Sequence, residues 1–202
     1  MEKETAAPAP AELEIPGECQ YAGEPAVVRP SQPTPRHTLY LSNLDDQRFL
    51  RFSIKYLYVF AAAAPADALR AALAAVLVDY YPLAGRLRAS DDDEGKLVVD
   101  CNAEGALFAE AALPGLTAGE FLRRRALPHK SWRKLLYRVD AQSFVAVPPL
   151  IVQVSTAHHT YFFSITLLIF FRKETFWSIT ITSIISLVSQ FVFIITHLAD
   201  EH

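Results

Sequence analysis

The sequence predicts an α/β fold, and three stretches carry that reading. Residues 52–60, Phe-Ser-Ile-Lys-Tyr-Leu-Tyr-Val-Phe, alternate at period two, so Phe52, Ile54, Tyr56, Tyr58 and Phe60 share one face of a strand rich in aromatic residues. From Ala66 to about Tyr80 the large apolar residues Leu69, Leu73, Val76, Leu77 and Tyr80 fall on one helical stripe, with Arg70 and Asp79 off it. Leu150-Ile151-Val152-Gln153-Val154, after Pro148-Pro149, is a short apolar run that reads as a buried strand.

In chain order, residues 1–26 read as a flexible lead, because Pro8, Pro10, Pro16 and Pro25 prevent a long helix. The first residues are acidic and rich in Pro and Ala, without the basic and apolar regions of a secretory signal. Val27-Val28 is a first short strand, and Pro30, Pro33 and Pro35 force an extended connection after it. Residues 39–46 run from an apolar segment into an Asn/Asp turn, in which Asp45 and Asp46 are expected as caps or solvated groups, not an acid/base pair. Pro65 suits the first turn of the following helix.

Pro82 stops that helix, and Gly85 is expected to take a backbone conformation that other residues resist. Arg86 invites a phosphate contact, but its place after a helix exit favours bonds to local carbonyls. Ser90 to Gly95 is an acidic hairpin turn without the spacing of a calcium loop, and Lys96 to Asp100 is the return strand. Cys101 begins a Gly-containing turn into another strand and is expected as a small buried residue, since no neighbouring base would activate it. Thr117 and Glu120 have the spacing of a capping box, opening a short helix through Arg123-Arg124-Arg125.

The 202 residues carry a net charge of −3, which leaves no basic footprint for nucleic acid. Cys19 and Cys101 make neither a disulfide framework nor a metal cluster, and fit reduced thiols in a cytosolic protein. A hydrophobic fraction of 51% is high for a soluble domain, and the excess lies in the last quarter. Isoleucine occurs three times in residues 1–154 and eight times in 155–202. Residues 155–202 therefore read as a hydrophobic tail of different origin, such as translated intron. Thr175 to Thr196 is 22 residues without charge, long enough for a membrane helix, although nine are Ser, Thr or Gln and a strand reading competes.

Tyr81-Pro82-Leu83-Ala84-Gly85-Arg86-Leu87 resembles the YPLAGRL segment of plant BAHD acyltransferases. Asp100-Cys101-Asn102-Ala103-Glu104-Gly105 resembles the same family's DCN.EG segment, at the expected distance, and residues 148–154 resemble its PPL.VQVT strand. The resemblance covers residues 27–154 and implies part of the N-terminal domain of a chloramphenicol-acetyltransferase-like fold, a mixed sheet with flanking helices. It implies transfer of an acyl group, hydroxycinnamoyl or fatty acyl, from acyl-CoA as co-substrate to an alcohol or amine, without a metal or other cofactor, in the cytoplasm.

In the family, the strand at 150–154 leads through a turn into a second strand ending in H-x-x-x-D, whose histidine is the general base. His158-His159 is followed by Phe163 where Asp is needed, and His197-Leu198-Ala199-Asp200 is one residue short. Neither fits, and the D-F-G-W-G motif is absent, so no catalytic residue is assigned. Two expectations follow: an acyltransferase scaffold inactive as this chain, or a non-catalytic membrane-anchored or interaction protein built on it.

Overall fold

The computed structural model describes residues 15, 17–41, 46, 52–60, 65–92, 95–117, 119–121, 130–139, 145–157 and 160–169. The elements among them are β1 (Gln20–Tyr21), β2 (Ala26–Val28), β3 (Thr38–Tyr40), β4 (Phe52–Phe60), helix α1 (Ala66–Asp79), β5 (Arg86–Ala89), β6 (Leu97–Asp100), β7 (Ala106–Ala112), β8 (Leu150–Ala157) and β9 (Thr160–Ile169). Short 3-10 segments occupy Tyr81–Ala84 and Lys130–Leu135.

Six strands form one mixed sheet in the order β1-β7-β8-β9-β4, with β2 also on β7. The β7–β8 pair is parallel and the other pairs are antiparallel. A second antiparallel sheet has the order β3-β6-β5. Parallel neighbours need a long crossover, and here residues 113–149 separate β7 from β8.

The stripe read from the sequence packs α1 onto one face of the main sheet. Leu69, Leu73, Val76 and Leu77 are buried with Phe108, Leu150, Val152 and Val154, while Tyr56 and Tyr58 of β4 close over them. Pro65 occupies the N-cap position, and its carbonyl accepts from Leu69 N–H at 3.1 Å. The opposite face is covered too: Leu57 and Val59 pack there with Ile15, Leu113, Leu116, Phe121, Leu135, Trp132 and Ala157. The period-two reading of residues 52–60 thus captured one of two buried faces. A sheet covered on both sides buries both faces of its central strands, and β8 is accordingly buried at every position except Thr156.

The capping box forms as spaced. Thr117 Oγ1 accepts from Glu120 N–H at 3.2 Å, and the Glu120 carboxylate accepts from Thr117 N–H at 2.9 Å. The rest of the expected helix, with Arg123-Arg124-Arg125, lies outside the described residues, as does Asp45. Asp46 is buried, not solvated, and its carboxylate accepts from Leu97 N–H at 2.9 Å, which ties it to the start of β6.

The composition shift at 154/155 does not coincide with a strand end. β8 runs through it to Ala157, and β9 lies wholly beyond it, paired with β8 from Ala157↔Thr160 to Leu150↔Leu167 and with β4 along all nine residues of that strand. No helix among the described residues is long and apolar enough to cross a membrane; residues 175–196, with His158, His159 and His197, lie outside them.

Candidate functional site

The segments 81–87 and 100–105 are brought together into one interlocked loop. Pro82 sits at the start of the 3-10 turn that ends α1, and Leu83 and Ala84 point into the core under the helix. The chain then enters β5, which pairs with β6 so that Arg86 lies opposite Asp100 and Leu87 opposite Val99. Leu87 and Cys101 are buried in a cluster of their own with Leu41, Leu97 and Val99, against which Tyr81 packs. The Tyr81 ring also meets His37 edge-on at 5.7 Å, and His37 C=O accepts from Cys101 N–H at 3.0 Å.

Two glycines make the close approach feasible. A Cβ on Gly85 would stand 2.4 Å from the Asp100 carbonyl oxygen. Gly85 has φ −86° and ψ −164°, an extended conformation open to any residue. The expectation of an unusual backbone there is therefore corrected: glycine is required by space. Gly105 has φ +108°, and a Cβ there would lie 2.5 Å from the Val28 carbonyl oxygen. Its N–H donates to Ala84 C=O at 2.9 Å, which joins the two segments directly.

Arg86 locks the arrangement. Its guanidinium donates to Gly85 C=O and Gly105 C=O, both at 2.7 Å, and its Nε lies 3.0 Å from the Glu104 carboxylate. Burial pulls its pKa below the ordinary arginine value, partly offset by Glu104. Glu104 is itself placed by Asn102, whose Nδ2 donates to it at 2.7 Å while Asn102 Oδ1 accepts from Glu104 N–H at 3.1 Å. These bonds occupy the arginine with local carbonyls and one neighbouring carboxylate, a joint and not a phosphate contact.

Cys101 is 1% exposed, and burial, helped by Asp100, pushes its thiol up to about 11. A thiol held that high is a poor nucleophile. At pH 8, Cys101 in the folded chain should react with a disulfide reagent at least about tenfold more slowly than in guanidinium, because burial both shields the sulfur and lowers its thiolate fraction. Because the folded pKa is raised, its stabilising contribution is complete below about pH 9 and is lost as pH rises towards 11. Equal reaction rates in the folded and unfolded chain would overturn this.

Three contacts were not read from the sequence. Arg70 reaches from α1 to Asp67 and across to Glu110 on β7, with its guanidinium 5.6 Å from the Phe108 ring centre. Gln153, 2% exposed in the middle of β8, donates to Leu135 C=O at 3.0 Å and Ser155 Oγ at 2.6 Å, and accepts from Tyr137 N–H. It pins the 130–137 segment to the sheet, and a lone amide in an apolar strand was the signal that could have found it. The third is the placement of β9 between β8 and β4.

The Transferase family matches residues 23–162 of this chain. "Acyl transferase 1" of Oryza sativa subsp. japonica is 42% identical over 148 residues, covering 65% of this chain and 30% of the rice protein. "Benzyl alcohol O-benzoyltransferase" of Petunia hybrida is 39% identical over 139 residues, and "(Z)-3-hexen-1-ol acetyltransferase" of Arabidopsis thaliana 39% over 137. The chain spans about 30% of the length of these relatives. In fold it is similar to vinorine synthase, with TM-score 0.53 and 21% identity over 75% of this chain and 38% of that one. It is also similar to TRI101 of F. sporotrichioides, solved with coenzyme A and T-2, with TM-score 0.55 and 14% identity over 76% of this chain and 38% of that one.

Proposed function

Because this chain belongs to the Transferase family, the BAHD acyltransferases of plants, we propose that it is the scaffold of an acyl-CoA-dependent alcohol acyltransferase that does not itself catalyse transfer. The family reaction would bring an acceptor hydroxyl onto the thioester carbonyl, release coenzyme A, and need a base to take the hydroxyl proton. Acyl-CoA is the co-substrate of that reaction, and the interlocked loop of residues 81–87 and 100–105 is its structural frame, not its chemistry.

The observation that carries this reading is the end of β9. That strand stands where the family resemblance expects the one that delivers the histidine. It ends at Ile169, and the sequence continues Phe170-Phe171-Arg172-Lys173-Glu174, without a histidine or an H-x-x-x-D spacing. Losing a positioned base costs about 10²–10⁴-fold in rate. Incubated with benzoyl-CoA and benzyl alcohol, the purified chain should release free thiol no faster than buffer, beside a full-length relative as positive control. Thiol release that requires both substrates and scales with the chain would sink the proposal.

A second reading, a non-catalytic interaction protein on the same scaffold, is supported by β4, which pairs on one side only among the described residues. Concentration-dependent association, measured by sedimentation and abolished by a proline in β4, would favour it. Membrane anchoring through residues 175–196 belongs to this reading, and flotation with liposomes tests it.

A further inference from the structure

Away from the loop described above, a recess of about 280 Å³ opens beside β1, lined by Glu18, Tyr21, Arg133, Lys134, Tyr137 and Arg138 among others. Three of those side chains are cations, against the single carboxylate of Glu18. Arg133 and Arg138 are exposed, and among the described residues neither has an ion-pair partner. Lys134 spends one donor on Ile15 C=O at 3.5 Å. Lys55 of β4 stands close enough to feel both arginines: burial lowers its pKa first, and repulsion from Arg138 and then Arg133 adds to it. Like charges so gathered repel one another unless an anion shares the space.

The recess also has an aromatic wall. The rings of Tyr21 and Tyr137 meet edge-on at 5.3 Å, and Tyr21 remains 39% exposed. Burial, with Cys19 next, drives the Tyr21 phenol well above its ordinary value, and its hydroxyl is engaged with the Cys19 thiol, so the ring is what Tyr21 offers the recess. The frame holding these groups is fixed, because Gln153 ties Leu135 and Tyr137 to β8 from beneath.

We infer that this recess binds a small nucleoside phosphate, with Arg133, Arg138 and Lys134 on the phosphate and the tyrosine pair against the base. Arginine forks suit phosphate oxygens, and aromatic rings accept any base without sequence readout. The recess falls slightly below the usual range for drug-sized ligands, which favours a mononucleotide over a larger cofactor. This site is independent of the acyl transfer proposed above and stands or falls without it.

Calorimetric titration of the full chain with adenosine 5′-monophosphate and, separately, with inorganic phosphate tests it. Saturable binding of the nucleotide is expected, at least tenfold tighter than phosphate. The double variant Arg133→Gln, Arg138→Gln should lose at least tenfold in affinity at unchanged melting temperature, and Arg88→Gln, on β5 away from the recess, should lose none. Raising salt from 50 to 300 mM should weaken the wild-type interaction. No saturable nucleotide binding, nucleotide no tighter than phosphate, or equal affinity in the double variant would each overturn the inference. If the double variant melts lower, Tyr137→Leu replaces it, with loss of the nucleotide's advantage over phosphate as the expected result and its retention as the overturning one.

Discussion

Replacing Gly105 with alanine is expected to destabilise the chain by roughly 3–5 kcal/mol, a large share of the stability of an ordinary domain. Two costs add at this position. A φ of +108° is strained for any residue with a Cβ, by about 1–3 kcal/mol. The new methyl would also meet the Val28 carbonyl oxygen at 2.5 Å and its carbon at 2.9 Å, and backbone cannot swing aside as a flexible side chain would. Relief requires β2 to leave β7, which would open the edge of the main sheet. At about 2–4 °C per kcal/mol for a chain of this size, the melting temperature should fall by about 6–20 °C. Gly115→Ala is the matched control. Nothing lies within 4 Å of its Cβ position, and its change should stay within about 0.5 kcal/mol. Equal melting of the two variants, followed by circular dichroism, would show that the approach of residues 104–105 to β2 is not tight.

Arg86→Met should cost about 2–3 kcal/mol, seen as a melting temperature lower by about 4–12 °C. The methionine keeps much of the side-chain volume but removes the donors that now serve Gly85 C=O and Gly105 C=O. Those carbonyls sit where the two segments meet, so the loss is that of unsatisfied polar groups. The ion pair with Glu104 adds less, because that carboxylate is 53% exposed and screened by solvent. Two further variants separate the contributions. Glu104→Gln should cost under about 1 kcal/mol. Arg86→Lys should recover less than half of the methionine loss, since one ammonium cannot reach two carbonyls and a carboxylate in the fixed geometry of a guanidinium fork. Full rescue by lysine would mean that charge alone matters there.

Much of the local structure is legible in the sequence. The period-two pattern placed a strand at 52–60, which β4 matches residue for residue. The stripe from Leu69 to Tyr80 fixed both the extent of α1 and its buried face. The Ser90–Gly95 turn lies between β5 and β6, and Ser90 N–H donates to Lys96 C=O at 2.9 Å across it. These features depend on neighbours a few residues apart, and the chain records such information directly. The relation to the acyltransferase family was legible for a different reason: two motifs occurred in register, each built around a glycine and a charged group that the fold cannot exchange.

Local pattern therefore accounts for α1, β4, the start of β8 and the family resemblance, but not for β1, which lies in the stretch read as a flexible lead, nor for β9. The roles of the motif residues follow from contacts between distant segments. Gly85 is needed because Asp100 lies against it, a contact fifteen positions away that no backbone preference at residue 85 reveals. Arg86 reaches Gly105 across nineteen residues, and Arg70 reaches Glu110 across forty. The same holds for β9, whose apolar composition set it apart as tail, yet whose backbone donors and acceptors pair with β8 on one side and β4 on the other. Periodicity tells which face of an element seeks cover, but the partner that provides it is chosen by the whole sheet, where steric fit and hydrogen-bond satisfaction between distant residues are settled together.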